Sequence, residues 1–376
     1  MIKFHFYAFI LFCIAVPAFG QSPTKSFSSL QAGSNPEFRS ASRVNALDQN
    51  GLLWERKLDA AFSGLSTPPT PSDQSNTAID SVDIMRWGSY TRTTFDGHVP
   101  PLSSEIKTVP FLATMGTFAG AIVALHIYQL HAWWSADRGP FHFQEDWPID
   151  LQVDKFGHFY GAYMIGYFSR ETLLESGLSD EAASDWGAVM GLTYQLYVET
   201  EDGFSTKWGF SPTDAYADIA GAAYFFAQKH VPVLQNFHEK WSYIPSSFLG
   251  KGNIPGQTRT AFDDYEGQTF WWTADVWNLL PPDWQSHYPN WLQLAVGYSA
   301  KHYGSIPSDV PDTREVFLAL DYHLIHLLPQ TDVPVLKWFI QTFDNFHFPA
   351  PALQIVPEGK FYILYPIKFH IGSREF

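Results

Sequence analysis

The sequence predicts a mainly α fold, an antiparallel helical bundle with a smaller C-terminal α+β region containing a few antiparallel strands. Three observations carry this reading. Between Asp154 and His230, three apolar stretches rich in small residues recur at helical spacing, and polar clusters bound each of them. Each uncharged core runs only about 11 to 13 residues, short of the ~17 needed to cross lipid alone, so a soluble or interfacial bundle is expected over a polytopic one. Beyond Val231 the chain turns aromatic and proline-rich, and its apolar period changes to the alternation of half-buried strands.

The bulk composition narrows the function. A chain of 376 residues, 45% hydrophobic and 17% aromatic, has enough apolar material for sizeable cores and is not mostly disordered. Its net charge of -15 excludes sequence-independent binding to nucleic acid or anionic headgroups, which needs clustered Lys and Arg. The single cysteine, Cys13, excludes a disulfide framework and a cysteine-rich metal site.

In chain order, residues 1–20 read as a secretory signal: Lys3, an apolar run, then Ala18-Phe19-Gly20 before Gln21. The bulky Phe12 ahead of Cys13 argues against lipidation, so the mature chain is expected to start at Gln21 and to carry no lipid. Residues 21–96 are rich in Ser, Thr, Pro and Asn and read as a largely disordered or loosely docked segment, with a short helix at 52–65. The bundle region is 97–230. It opens with an almost uncharged run at 109–130, long enough to cross a bilayer, in which Gly116 and Gly120 fit close helix packing. Helices are expected at 154–176, 180–199 and 212–230, with the glycines of each explained by tight packing. In 231–376, strands are expected at 292–298, 316–324 and 361–371, with a helix at 335–346. Three or four strands are too few for an outer-membrane barrel and suit a small sheet packed on the bundle.

An up-down topology brings the polar clusters to one end of the bundle. Asp154 and His158, four residues apart, share the face that opens one helix. Glu199 closes the next helix with Glu201 and Asp202, where negative charge opposes the helix dipole and calls for a reason. Ser211-Pro212-Thr213-Asp214 is a helix start, with Ser211 as N-cap, and capping alone accounts for Ser211 and Asp214. Asp218 lies one turn further in, beside Gly221, where a buried carboxylate needs a cation or a donor. Lys155 is either a solvated charge or the neutraliser of a nearby acid. His158, Glu199 and Asp218 have the ligand types of a zinc or other divalent site and equally those of a general acid/base cluster. Asp154, Lys155, Asp202, Ser211 and Asp214 are expected to line the same site, with His131 and Trp134 as its walls.

At these residues, D-K-F-G-H-F (154–159) and S-P-T-D-A-Y-A-D-I-A-G (211–221), the sequence resembles the YfiM-like family of uncharacterised predicted periplasmic proteins. It is also distantly similar to VanZ-like membrane proteins, with Asp218 standing where those carry Asn. The resemblance implies a location in the periplasm, or on the periplasmic face of a Gram-negative envelope membrane. The expected function is a membrane-associated binding or scaffolding module for an envelope lipid, glycan or membrane protein. The alternative is a hydrolase or transferase on an envelope lipid or glycan, with His158 as base, Asp218 or Glu199 as its partner, and a divalent metal as cofactor.

Overall fold

The computed structural model describes residues 86–87, 90–134, 138–250, 259–302, 312–367, 370–371 and 374–375. The expected export signal, its cleavage site, Cys13 and the helix at 52–65 lie outside the described residues. Residues 92–95 are docked on the bundle. There Thr93 N donates to Gln341 Oε1 (2.7 Å), and the Arg92 guanidinium lies over the Tyr167 ring.

Four helices form the first layer: α1 (Thr108–Ala132), α2 (Val153–Glu175), α3 (Asp180–Gly203) and α4 (Pro212–His230). Local chemistry sets their ends. Ser179 caps α3 by accepting from Ala182 N, and Ser211 caps α4 by accepting from Asp214 N at 3.1 Å. Gly177, at φ 84, turns the chain out of α2. Helix α3 runs one turn past the expected end at Glu199. The acids of that turn find partners in the segment after α1, since Trp134 Nε1 donates to Asp202 and Arg138 pairs with Glu201 (2.6 Å).

The turn before α2 is unusual. Asp150, Leu151 and Gln152 all have positive φ (51°, 52° and 65°), a left-handed run that costs non-glycine residues roughly 1–2 kcal/mol each. Three hydrogen bonds hold it: Tyr298 OH to Leu151 O, Gln152 Nε2 to Trp147 O and Arg314 to Gln152 Oε1. It fixes the direction in which Asp154 and Lys155 enter the bundle.

Helices α2, α3 and α4 pack backbone to backbone. A Cβ on Gly191 would sit 2.3 Å from Ala162 O, and one on Gly221 would sit 2.1 Å from Phe159 O. The expectation for Gly116 and Gly120 fails, because nothing approaches either position and both are exposed. Helix α1 rests on the bundle through Phe111, Met115, Ile122 and Leu125 and turns its glycines outward. It is long and apolar enough to cross a membrane, and very little of that stretch is buried.

The C-terminal region is a six-stranded antiparallel meander, not three or four strands. It comprises β1 (Phe237–Tyr243), β2 (Gln268–Ala274), β3 (Leu292–Lys301), β4 (Thr313–Tyr322), β5 (Ala350–Val356) and β6 (Lys360–Tyr365), each paired with the next. Helix α5 (Pro334–Phe343) falls where one was expected, between β4 and β5. Strand β1 escaped notice because His238, Glu239 and Lys240 interrupt its apolar alternation. Aromatic rings join sheet to bundle: Phe156 stacks on Tyr298 (4.9 Å between centroids), and Tyr224 meets Trp272 (4.8 Å).

The close helix contact makes a prediction. Gly191→Ala overpacks the α2/α3 seam and lowers stability by about 1–3 kcal/mol in urea unfolding. Gly120→Ala, in open space, is neutral or stabilising. Equal midpoints for the two variants contradict the packing account.

Candidate functional site

The ends of three helices bring the polar clusters together. His158, one turn into α2, directs Nδ1 at Asp218 Oδ1 of α4 across 3.0 Å. Its Nε2 faces the opposite way, 3.6 Å from Glu199 Oε1 of α3 and 3.9 Å from Asp214 Oδ2 of α4. Gln195 Nε2 donates both to Asp218 Oδ1 and to His158 O (3.2 Å each), so the carboxylate that orients the ring is itself held. Asp218 is fully buried, and its Oδ2 has no hydrogen-bond partner.

Beside the imidazole lies a second acidic group. Lys155 Nζ sits between Asp146 Oδ1 (2.6 Å), Asp154 Oδ2 (2.9 Å) and Asp214 Oδ1 (2.7 Å), so the lysine neutralises acids instead of lying in solvent. Ser211 has more than a capping role. Its N–H donates to Glu199 Oε2 (3.0 Å) and its hydroxyl to Asp146 Oδ1 (2.6 Å), which Thr213 also reaches (2.9 Å). Asp202 stands further out against Trp134. Trp134 is buried as a wall, whereas His131 is exposed and its ring bonds back to Ile127 O.

Two residues of the site were missed from sequence. Asp146 lies in an irregular loop with no periodicity to mark it, and Gln195 reads as an ordinary polar residue of an apolar helix.

Electrostatically this end of the bundle is overloaded with acid. Asp146, Asp154, Glu199, Asp214 and Asp218 share it with one lysine and one histidine. Burial, and then the charges of Asp214 and Asp202, push Glu199 up to about 8 against the pull of His158. Asp214 rises to about 6 and Asp202 to about 7, burial being the main cause for both. Burial pulls His158 down, but Asp214, Asp218 and Glu199 outweigh it and hold the imidazole well above its ordinary value.

The opposite end of the bundle is balanced by comparison. There Arg170 pairs with Glu171 and Asp180, and Lys229 adds a second cation at 2.7 Å from Asp180.

Among the described residues, two groups present three ligand atoms within 4.8 Å of one another: His158, Glu199 and Asp214, and Asp146, Asp154 and Asp214. The Lys155 ammonium already fills the second. The first is only partly neutralised, since Asp214 pairs with Lys155 through its other oxygen while Glu199 faces the imidazole.

Groups held above their ordinary values stabilise the fold at low pH, and the contribution disappears as pH rises through the folded value. Glu199, Asp214, Asp202 and His158 all act in that direction. Metal-free protein should therefore lose thermal stability from about pH 5 to about pH 8.5, with Glu199→Gln flattening the upper part of the curve. Stability rising across this window contradicts the assignment.

Residues 141–228 match a family model described as a predicted periplasmic lipoprotein family (DUF2279), linked to YfiM-like proteins. The match spans the polar site residues from Asp146 to Asp218 and agrees with the exported, periplasmic location read from the sequence. It gives no support to the VanZ-like similarity. The family's lipoprotein character differs from the unlipidated chain expected from the residues around Cys13. No curated protein and no solved structure matches the chain.

Proposed function

We propose that the protein is a membrane-associated envelope module that holds a divalent cation at the polar end of its bundle, through His158 Nε2, Glu199 and Asp214. One observation carries the reading: three converging ligand atoms sit in a site whose buried negative charge exceeds what Lys155 offsets. The imidazole is set for this role. Its Nδ1 is engaged by a carboxylate, the outer arrangement that fixes the tautomer of metal-bound histidines and leaves Nε2 free to coordinate. In this reading Asp214 takes the ligand place expected of Asp218, and Asp218 orients the ring. A mixed imidazole and carboxylate set suits zinc or a similar first-row ion.

A bound ion would offset the carboxylate charge and present open coordination positions to an oxygen-rich group of an envelope lipid or glycan. The chain's own residues do the positioning: Gln195 holds Asp218, Asp218 holds His158, and Ser211 N–H holds Glu199. A second reading, a hydrolase or transferase, is favoured by the ligand count. Three protein ligands with an open position is the pattern of catalytic zinc sites, while structural ones are closed by four.

Metal analysis after dialysis against zinc tests the proposal. Wild-type protein should retain about one ion per chain, and His158→Ala and Glu199→Gln should lose it while keeping native circular dichroism. Asp218→Asn should still bind, about 10- to 100-fold more weakly. Zinc retention unchanged in both ligand variants would falsify the site.

A further inference from the structure

The inner face of the six-stranded sheet mixes a hydrophobic cluster around Trp271, Phe317, Tyr362 and Tyr365 with buried polar and charged groups. In a sheet packed on a core and facing water, apolar side chains point in and polar ones out. Here the buried face carries Lys240, Thr273, Gln293 and Asp321, with Lys240 Nζ bound to Asp321 (3.0 Å) and Gln293 (2.9 Å).

The opposite face is apolar. Strand register lines up Trp272, Val296, Leu318, Leu353 and Phe361 as one cross-strand row, each directly paired with the next. All five are between 41% and 53% exposed. Leu294 and Leu320 pair in a second row alongside. At ~4.8 Å per strand the row is roughly 19 Å wide.

From these observations we infer that the part of this face beyond its bundle contacts, Val296, Leu318, Leu353 and Phe361, lies against the hydrocarbon of a lipid bilayer. Apolar-out, polar-in alternation on a meander is the pattern of membrane-facing sheets, because lipid selects against outward charge and the interior accepts polar groups.

Charge decides what covers the face. The first row ends at Glu239 of β1 beside Trp272, and that carboxyl is buried and held well above its ordinary value, so the exposed part of both rows carries no charged group and fits uncharged acyl chains. The same compact unit carries the membrane-length helix α1, of which very little is buried. The inference rests on the envelope location and is independent of the metal reading.

The test is a nitroxide placed by Leu318→Cys, and separately by Phe361→Cys, in full-length chain with Cys13→Ser, added to vesicles of neutral phosphatidylcholine. Ser286→Cys, in an exposed turn between β2 and β3, reports the aqueous phase. In vesicles, both sheet probes should gain accessibility to oxygen and lose accessibility to a water-soluble nickel chelate, at low and high salt alike, while position 286 does neither. Sheet probes as open to nickel as position 286 overturn the inference. Shielding that is complete before vesicles are added shows a second copy on the face and also overturns it. Zinc retention by the same samples reports separately on the metal site.

Discussion

The imidazole of His158 is the point at which three helices are tied together. Asp218 of α4 holds one ring nitrogen, Glu199 of α3 and Asp214 of α4 face the other, and the ring itself belongs to α2. This arrangement requires the helix axes to lie very close. The contacts at Gly191 and Gly221 supply that closeness, since any side chain there would push α3 or α4 off α2. The glycine seams are therefore part of how the site is built, even though they touch none of its polar atoms.

Gathering five carboxyl groups in a largely buried space is costly, and the fold meets only part of that cost. The N-termini of α2 and α4 direct partial positive charge at the cluster, Lys155 bridges three acids, and Ser211 and Thr213 donate to Asp146. The remainder must be met by protons or by a cation. Burial holds Glu199 and Asp214 above their ordinary values, toward the protonated form, and a divalent ion would take the place of those protons. The Arg170 network at the other end has nearly matched charge, which identifies it as a structural feature of the fold. Buried ion networks are thus present at both ends of the bundle, and charge balance separates the two.

The legible part of the molecule was that governed by local rules. The Ser-Pro start of α4 and the small-residue seams of α2, α3 and α4 each depend on a few neighbouring residues and lie where expected, whereas Asp154 turns to Lys155 and leaves the orienting of His158 to Asp218. Asp146 was not legible. Its place beside Lys155 is set by the left-handed turn at Asp150–Gln152, which is held by Tyr298 and Arg314 from the distant sheet. Gly116 and Gly120 show the limit of a motif, since small residues four apart permit close packing without supplying a partner. Strands β1, β2 and β5 were hidden for a different reason. The inward positions of these strands mix polar residues such as Lys240, Thr273 and Gln354 with apolar ones such as Trp271 and Ala352, so no clean apolar alternation marks them.

The central claim is that the His158 end of the bundle is a cation site. It is tested most directly by anomalous diffraction at the zinc edge from crystals grown with zinc. The account predicts one anomalous peak at about 2.0–2.2 Å from His158 Nε2 and from a carboxylate oxygen of each of Glu199 and Asp214, with Asp218 remaining on Nδ1. Density showing no peak there, with the carboxyl groups hydrogen-bonded to one another at neutral pH, would mean that shared protons satisfy the cluster and would contradict the metal reading.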